Sequence, residues 1–343
     1  MKLKTLPTPM PCTSGEPNAT TTENYGGATT ISTIQPEVIQ THILTRLDGP
    51  TLASVGTTSS ELRALSSHNH LWDNACYSTW PSTNTPHVRH VISTFPNGSR
   101  SFFSDSYATF SPSRNNFTSG INLDRMPELI SAVDIFHREN LIISKVVETE
   151  TKTDSFRFSP FRVDLIHKKD AVKIPVSNDT CHDFSEEMTL SWIIIDRVGR
   201  RAVNVSSKKA VTVQRNKISG EMEARFVTVV DGGEVGTASA VAVFSVVVTW
   251  GEVLGGEISV REVSLQIEDM EGMNLYGRDS LVIMKRALEG KRGNGKDKRE
   301  ESYRKFVKKE GKLRKEGRLD NLGVGLAVLS FVCFLVCVFC ANW

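Results

Sequence analysis

Cys181-His182-Asp183 sets a nucleophile, a base and an acid side by side. These are the residue types of a hydrolytic triad, but working triads gather their members from distant segments. Adjacency in sequence is therefore no sign of one. His68-Asn69-His70 and the pair His87 and His90 offer imidazoles, without a Cys or carboxylate at metal-ligand spacing. They read as surface histidines. Gly232-Gly233-Glu234-Val235-Gly236 is glycine-rich, yet a phosphate loop needs a helix N-terminus behind it. Strand-like sequence flanks this stretch, so it reads as a hairpin loop. Cys333, Cys337 and Cys340 stand at i, i+4, i+7 on one helix face. Acylation or metal binding would use such a face; small apolar residues in lipid are the simpler reading. No G-x-S-x-G, H-E-x-x-H or P-loop pattern occurs. The expectation is no catalytic residue, no metal, no cofactor and no enzyme activity.

The chain that carries these residues has 343 of them, 39% hydrophobic and 23% charged, with a net charge of +2. That is too apolar for a wholly disordered chain and too charged for a multispanning membrane protein. The near-neutral total gives no reason to expect a nucleic-acid partner. The charge is uneven, however: Lys285 to Arg318 holds 15 Lys and Arg against 6 Asp and Glu. Of the six cysteines, only Cys12, Cys76 and Cys181 lie outside the last eleven residues, far apart. That excludes a disulfide framework and fits a reducing compartment.

Both ends are distinctive. Met1 to Pro17 carries prolines at 7, 9, 11 and 17, which interrupt any signal-peptide apolar run. Residues 1–30 are rich in Thr, Pro, Gly and Asn and read as disordered. Leu322 to Ala341 is twenty residues without a charge, of which twelve are Leu, Val or Phe. A helix of about 20 such residues crosses a bilayer core. The expectation is one C-terminal transmembrane helix over 322–341, behind a basic juxtamembrane segment over 289–321. Lys and Arg mark the cytoplasmic side, so the body is expected in the cytosol, tail-anchored and touching membrane lipid. The Asn-x-Ser/Thr sequons at Asn18, Asn97, Asn116, Asn178 and Asn204 are then chance matches.

Residues 31–80 read as a helical module. Pro36 suits a first helical turn, and Ile39, Ile43 and Leu47 recur at i, i+4, i+8. Asp48-Gly49-Pro50 ends that helix. Leu52, Val55, Ser59, Leu62 and Leu65 predict a second helix, and Leu71-Trp72 opens a third that Pro81 closes. The stretch Ile34–Cys76 resembles an F-box. The family's proline and acidic residue match Pro36 and Glu37, and its apolar pairs match Val38-Ile39 and Ile43-Leu44. Its Arg-Leu turn matches Arg46-Leu47, its next helix opens at Pro50 and Leu52, and its terminal pair is Leu71-Trp72. Gln35 replaces the family's usual leucine, and Glu61-Leu62 its basic residue and tryptophan. The stretches SFFSDSYATF and SWIIIDRVGRRAVNVS resemble a plant group of F-box proteins. The resemblance implies the substrate-receptor subunit of a Skp/cullin/F-box ubiquitin ligase. It also implies a Skp-type adaptor as partner, and through it a cullin, with an unknown protein as substrate. The implied adaptor-binding residues are Pro36, Val38, Ile39, Ile43, Leu44, Leu47, Pro50, Leu52, Leu71 and Trp72. The alternatives are a membrane-tethered, lectin-like binding protein that assembles no ligase, and a hydrolase working from the β region.

Residues 81–125 alternate Ser with Phe and Tyr and read as a partly ordered connection, with a helix around Ser101–Thr109. Residues 126–288 read as the β-rich, substrate-binding domain. The expected strands are Leu141–Glu148, Phe156–Ile166, Leu190–Asp196, Ala202–Ser206, Ala210–Arg215, Glu223–Val230, Ala240–Trp250, Ile258–Ile267 and Ser280–Lys285. The fold class expected is α+β: a small helical module, then a mainly antiparallel sandwich or barrel-like β domain.

Overall fold

The computed structural model describes residues 34–111, 126–174, 181–231, 241–253, 257–293, 301–308 and 311. The N-terminal segment 1–30, the glycine-rich loop at 232–236 and the transmembrane helix expected over 322–341 lie outside the described residues. Among the described residues no helix is long and apolar enough to cross a membrane.

The helical part opens with α1 (Pro36–Val38), which runs into a π turn (Ile39–Ile43) and a 3-10 turn (Leu44–Arg46). Then come α2 (Gly49–Val55), α3 (Ser60–Ser66) and α4 (Asn69–Thr79). The single helix expected from Leu52 to Leu65 is broken in two. Thr57 and Thr58 donate their hydroxyls to Ser54 O at 2.7 Å and Val55 O at 2.8 Å, which occupies carbonyls a longer helix would need. Ser59 then restarts the helix as its N-cap, accepting from Leu62 N at 3.1 Å. The helices continue through the stretch read as a connection. A 3-10 turn (Pro81–Asn84), α5 (Pro86–Ser93) and α6 (Gly98–Tyr107) follow α4. Phe102 and Phe103 on α6 are buried in one cluster with Trp72 and Trp80, so these aromatics are core and not linker.

After α6 and β1 (Thr109–Ser111), four antiparallel strands make the first sheet. They are β2 (Glu128–His137), β3 (Asn140–Glu150), β6 (Met188–Asp196) and β7 (Arg201–Asn204), in the order β3-β2-β6-β7. Between β3 and β6 lie α7 (Asp154–Phe158), β4 (Arg162–Ile166), β5 (Val172–Ile174) and α8 (Cys181–Glu187). The second sheet adds β8 (Thr212–Arg215), β9 (Met222–Asp231), β10 (Val241–Val253) and β11 (Glu257–Glu268), in the order β4-β11-β10-β9-β8 with β5 also on β11. Then come α9 (Gly277–Glu289) and β12 (Lys291–Gly293), which pairs with β1, and a helix over 301–308.

Two strand expectations are corrected, and one strand is added. Phe156–Ile166 begins as helix α7, because Thr153 caps it by accepting from Phe156 N, and only its end is strand. Ser280–Lys285 lies inside α9, where Leu281, Met284 and Leu288 recur at helical spacing and are buried. Strand β2 was not expected at all. Its sequence buries residues on both sides, so it lacks the alternation of a half-exposed strand.

That double burial defines the architecture. From β2 and β6, Leu129, Val133, Ile135, Leu190, Trp192 and Ile194 enter one core with Phe226, Phe244, Val246 and Leu265 of the second sheet, together with α9. The alternate residues Ile130, Ala132, Ile193 and Ile195 enter the other core with the helices. The layers are thus helices, first sheet, second sheet.

Polar ties fix the helical layer to the first sheet. Asp134 of β2, fully buried, accepts from Ser82 N at 2.8 Å, Ser82 Oγ at 2.6 Å and Ser144 Oγ at 2.8 Å. Asp105 of α6 accepts from Arg201 Nε at 2.7 Å and Ala202 N at 3.2 Å. It also faces Arg292 Nε at 3.5 Å. Arg292 in turn donates to Ala202 O at 2.6 Å and to Ala287 O, at the end of α9, at 2.9 Å. Burial lowers the Arg292 pKa to about 10, with the like charge of Arg201 adding and Asp105 opposing; it stays cationic near neutrality.

Burial raises the Asp134 pKa, and the hydrogen bonds from Ser82 and Ser144 only partly offset it. The native state therefore takes up this proton at a higher pH than the unfolded chain. The stabilisation from protonation is present at acid pH and is lost as pH rises through the folded-state pKa. Thermal unfolding of the native chain and Asp134→Asn across that range checks this. Relative to the variant, which has no proton to bind there, the native chain gains stability as pH falls.

Candidate docking surface

The segment from Ile34 to Pro50 starts because Pro36 fits the first helical position, where its missing N–H costs nothing. The helix then widens. Leu44 N–H bonds to Ile39 O, five residues back, which makes Ile39–Ile43 a π turn. Thr41 and Thr45 donate to Glu37 O and Thr41 O, each at 2.7 Å. Such back-bonding by threonine bends helices.

The π turn decides which side chains face water. An α-helix would place Ile39 and Ile43 on one face, as the i, i+4 spacing suggested. The extra residue in the turn pairs Ile39 with Leu44 instead. Both are buried, while Ile43 is 45% exposed. Val38 is 40% and Ile34 36% exposed.

The ten residues implied by the resemblance therefore fall into two groups. Ile39, Leu44, Leu52, Leu71 and Trp72 are buried in the core beneath the helices. Pro36, Val38 and Ile43 are exposed, and Leu47 and Pro50 are half-buried. The first group builds the surface and the second presents it. Asp48, which caps α2 by accepting from Thr51 N at 3.0 Å, holds the turn between them. Its pKa is lowered by the hydrogen bonds from Thr51. Gly49 has no room for a side chain, because a Cβ there would meet the Phe103 ring at 2.0 Å. Trp72 donates Nε1–H to Ser66 O at 2.7 Å and packs tilted against Phe103, with ring centroids 5.6 Å apart.

Sequence reasoning missed Ile34 on the exposed side. It did not place Trp80, Phe95, Phe102 and Phe103 beneath the surface, although the helix expected around Ser101–Thr109 from the Ser-aromatic alternation is present as α6.

Among the described residues, the histidines considered for chemistry do not assemble into a site. The His68 and His70 rings are 5.9 Å apart, and His87 faces Glu148 at 3.5 Å across an exposed pair. Among the described residues, no group of three or more His, Cys, Asp or Glu could hold a metal ion. Cys181-His182-Asp183 opens helix α8. The buried Cys76 thiol has its pKa pushed up by burial, then by the charge of Asp73, the opposite of what a nucleophile needs.

The molecule is α+β, with a helical layer that presents an apolar segment to solvent, and relatives give its class a name. The chain is 47% identical over 326 residues to the probable F-box protein At2g36090 of Arabidopsis thaliana, spanning 90% of this chain and 93% of that one. It is 43% identical over 322 residues to the F-box protein At2g27310 of the same plant, spanning 88% and 94%. A third, F-box protein At3g44326, is 38% identical over 339 residues, spanning 92% of each. The chain belongs to this family of F-box proteins. No family model matches the chain, and no solved structure matches it.

The split between buried and exposed residues makes a direct prediction for stability. Leu44→Ala removes a core side chain and is expected to cost about 2–4 kcal/mol. Ile43→Ala, one residue away, is expected to cost about 0.5 kcal/mol or less. Urea unfolding of the two variants measures the difference.

Proposed function

We propose that this protein is the substrate-receptor subunit of a Skp/cullin/F-box ubiquitin ligase. The observation that carries the proposal is the exposed apolar group Val38 and Ile43 in a chain of the F-box family. Fully burying side chains of this kind is worth about 1.5–3 kcal/mol each, so a free monomer gains by covering them. A Skp-type adaptor is the cover, and it brings the cullin. Ubiquitin transfer then belongs to other subunits. This chain acts as an adapter and not as an enzyme, and its β layers hold the client protein.

Membrane attachment extends the proposal and rests on sequence only. The uncharged run from Leu322 to Ala341 and the basic segment before it support a tail anchor with the body in the cytosol.

Each half has its own test. Val38→Asp combined with Ile43→Asp places two charges in the adaptor interface while leaving the core intact. Desolvating an unpaired charge costs several kcal/mol, so adaptor affinity is expected to fall by about 100-fold or more. The thermal midpoint of the variant stays near that of the native chain. Co-purification of the folded variant with adaptor at native levels removes Val38 and Ile43 as the adaptor interface, and failure of the native chain to co-purify with adaptor leaves a binding protein outside any ligase. For the tail, the full-length chain is expected to resist extraction by alkaline carbonate, and a chain ending at Arg318 to remain in the soluble fraction. Full-length protein in the soluble fraction removes the anchor.

A further inference from the structure

The second sheet has an outer face that the two cores do not use. Phe226, Phe244, Val246 and Leu265 point into the core between the sheets. The residues between them in sequence, Val227, Val243 and Ser245, are buried as well, at 1%, 2% and 0% exposure. They belong to neither core cluster, so something else covers them. The helix at 301–308 lies over them, and Gly272 in the loop after β11 lines the same space. On the helix only Tyr303 and Phe306 are half-buried; the other side chains are exposed. These two rings, three residues apart, line a cavity of about 210 Å³ together with Val227, Val243, Ser245 and Arg225.

The fit is incomplete. Glu223 and Glu268 both pair with Arg225 within the sheet, and on the helix Lys305 pairs with Glu301 while Arg304, Lys305 and Lys308 are exposed. Interiors pack with few voids larger than a water molecule, and here a cavity remains. Ser245 Oγ, beneath the helix, has no hydrogen-bond partner among the described residues. A cover that leaves space and an unmet hydroxyl is held less tightly than a core element. Seven residues, 294–300, separate it from β12.

We propose that the outer face of the second sheet is the client-docking surface and that residues 301–308 occupy it in place of a client. The client presents the same chemistry: an amphipathic, basic helix with aromatic side chains three residues apart. This rests on the receptor reading, and it places client and adaptor on opposite outer layers of the molecule.

The test uses the full chain with Tyr303→Ala and Phe306→Ala, which empties the face without touching either core, and a labelled peptide of residues 299–311. A tethered segment competes at a high effective concentration, so the peptide is expected to bind the double variant about tenfold or more tighter than the native chain. A peptide with the same two alanines is expected not to bind. Equal binding to both chains, or binding to neither, overturns the proposal whatever the adaptor does. In a reconstituted ligase, a reporter protein carrying residues 299–311 should be ubiquitinated faster through the double variant than through the native receptor. Equal rates with the adaptor bound overturn the client assignment. Failure to bind adaptor, by contrast, overturns the receptor reading, and the peptide titration still decides whether the face is a docking surface.

Discussion

Strands β2 and β6 bury side chains on both of their faces, so the first sheet needs a partner layer on each side. The second sheet supplies one and the helices supply the other. The rest follows from that constraint. A fully buried carboxylate such as Asp134 has no water to solvate it, and the protein must supply its donors. Two come from Ser82 in the helical layer and one from Ser144 on the neighbouring strand. Asp105 makes the same connection at the other end, from α6 to the guanidinium groups of Arg201 and Arg292. Arg292 also reaches the last carbonyls of α9, so α6, the first sheet, α9 and the chain's return strand meet at one ion cluster.

Much of this was legible in the residues, and the failures have physical causes. The long strands β9, β10 and β11 showed themselves as β-branched runs between turn residues, and the α+β order was evident. Strand β2 was invisible because double burial removes the alternation that marks a strand. α9 was misread because its apolar residues crowd into Leu281-Val282-Ile283-Met284, which is short enough to pass for strand. At the docking surface, the residue types were legible and their directions were not. Spacing assigned Ile39 and Ile43 to one face, and a single π turn separated them. Nothing local in the sequence announces a π turn, since it depends on threonine side chains competing for carbonyls and on Leu44 finding the core.

The two proposed docking surfaces sit on the outermost layers, with the first sheet between them. The helical layer presents Val38 and Ile43, and the far face of the second sheet lies beneath Tyr303 and Phe306. The intervening layers are joined by buried side chains and by the ion cluster, so a force on one surface reaches the other through packed atoms and not through a linker. For a receptor in the proposed ligase, this makes the distance from adaptor to client a property of the fold.

The shared core also bears on how such a chain can change over generations. A helical unit that supplies half of another layer's interior is not a cassette. A recombination breakpoint after residue 111 would join these helices to a foreign sheet lacking complements for Trp80, Phe102 and Phe103, and to a strand lacking the carboxylate that Ser82 requires. Inheritance of the helices and the first sheet is therefore linked. The outer face of the second sheet carries no such debt to the helices, and it is where new recognition can arise by point substitution alone.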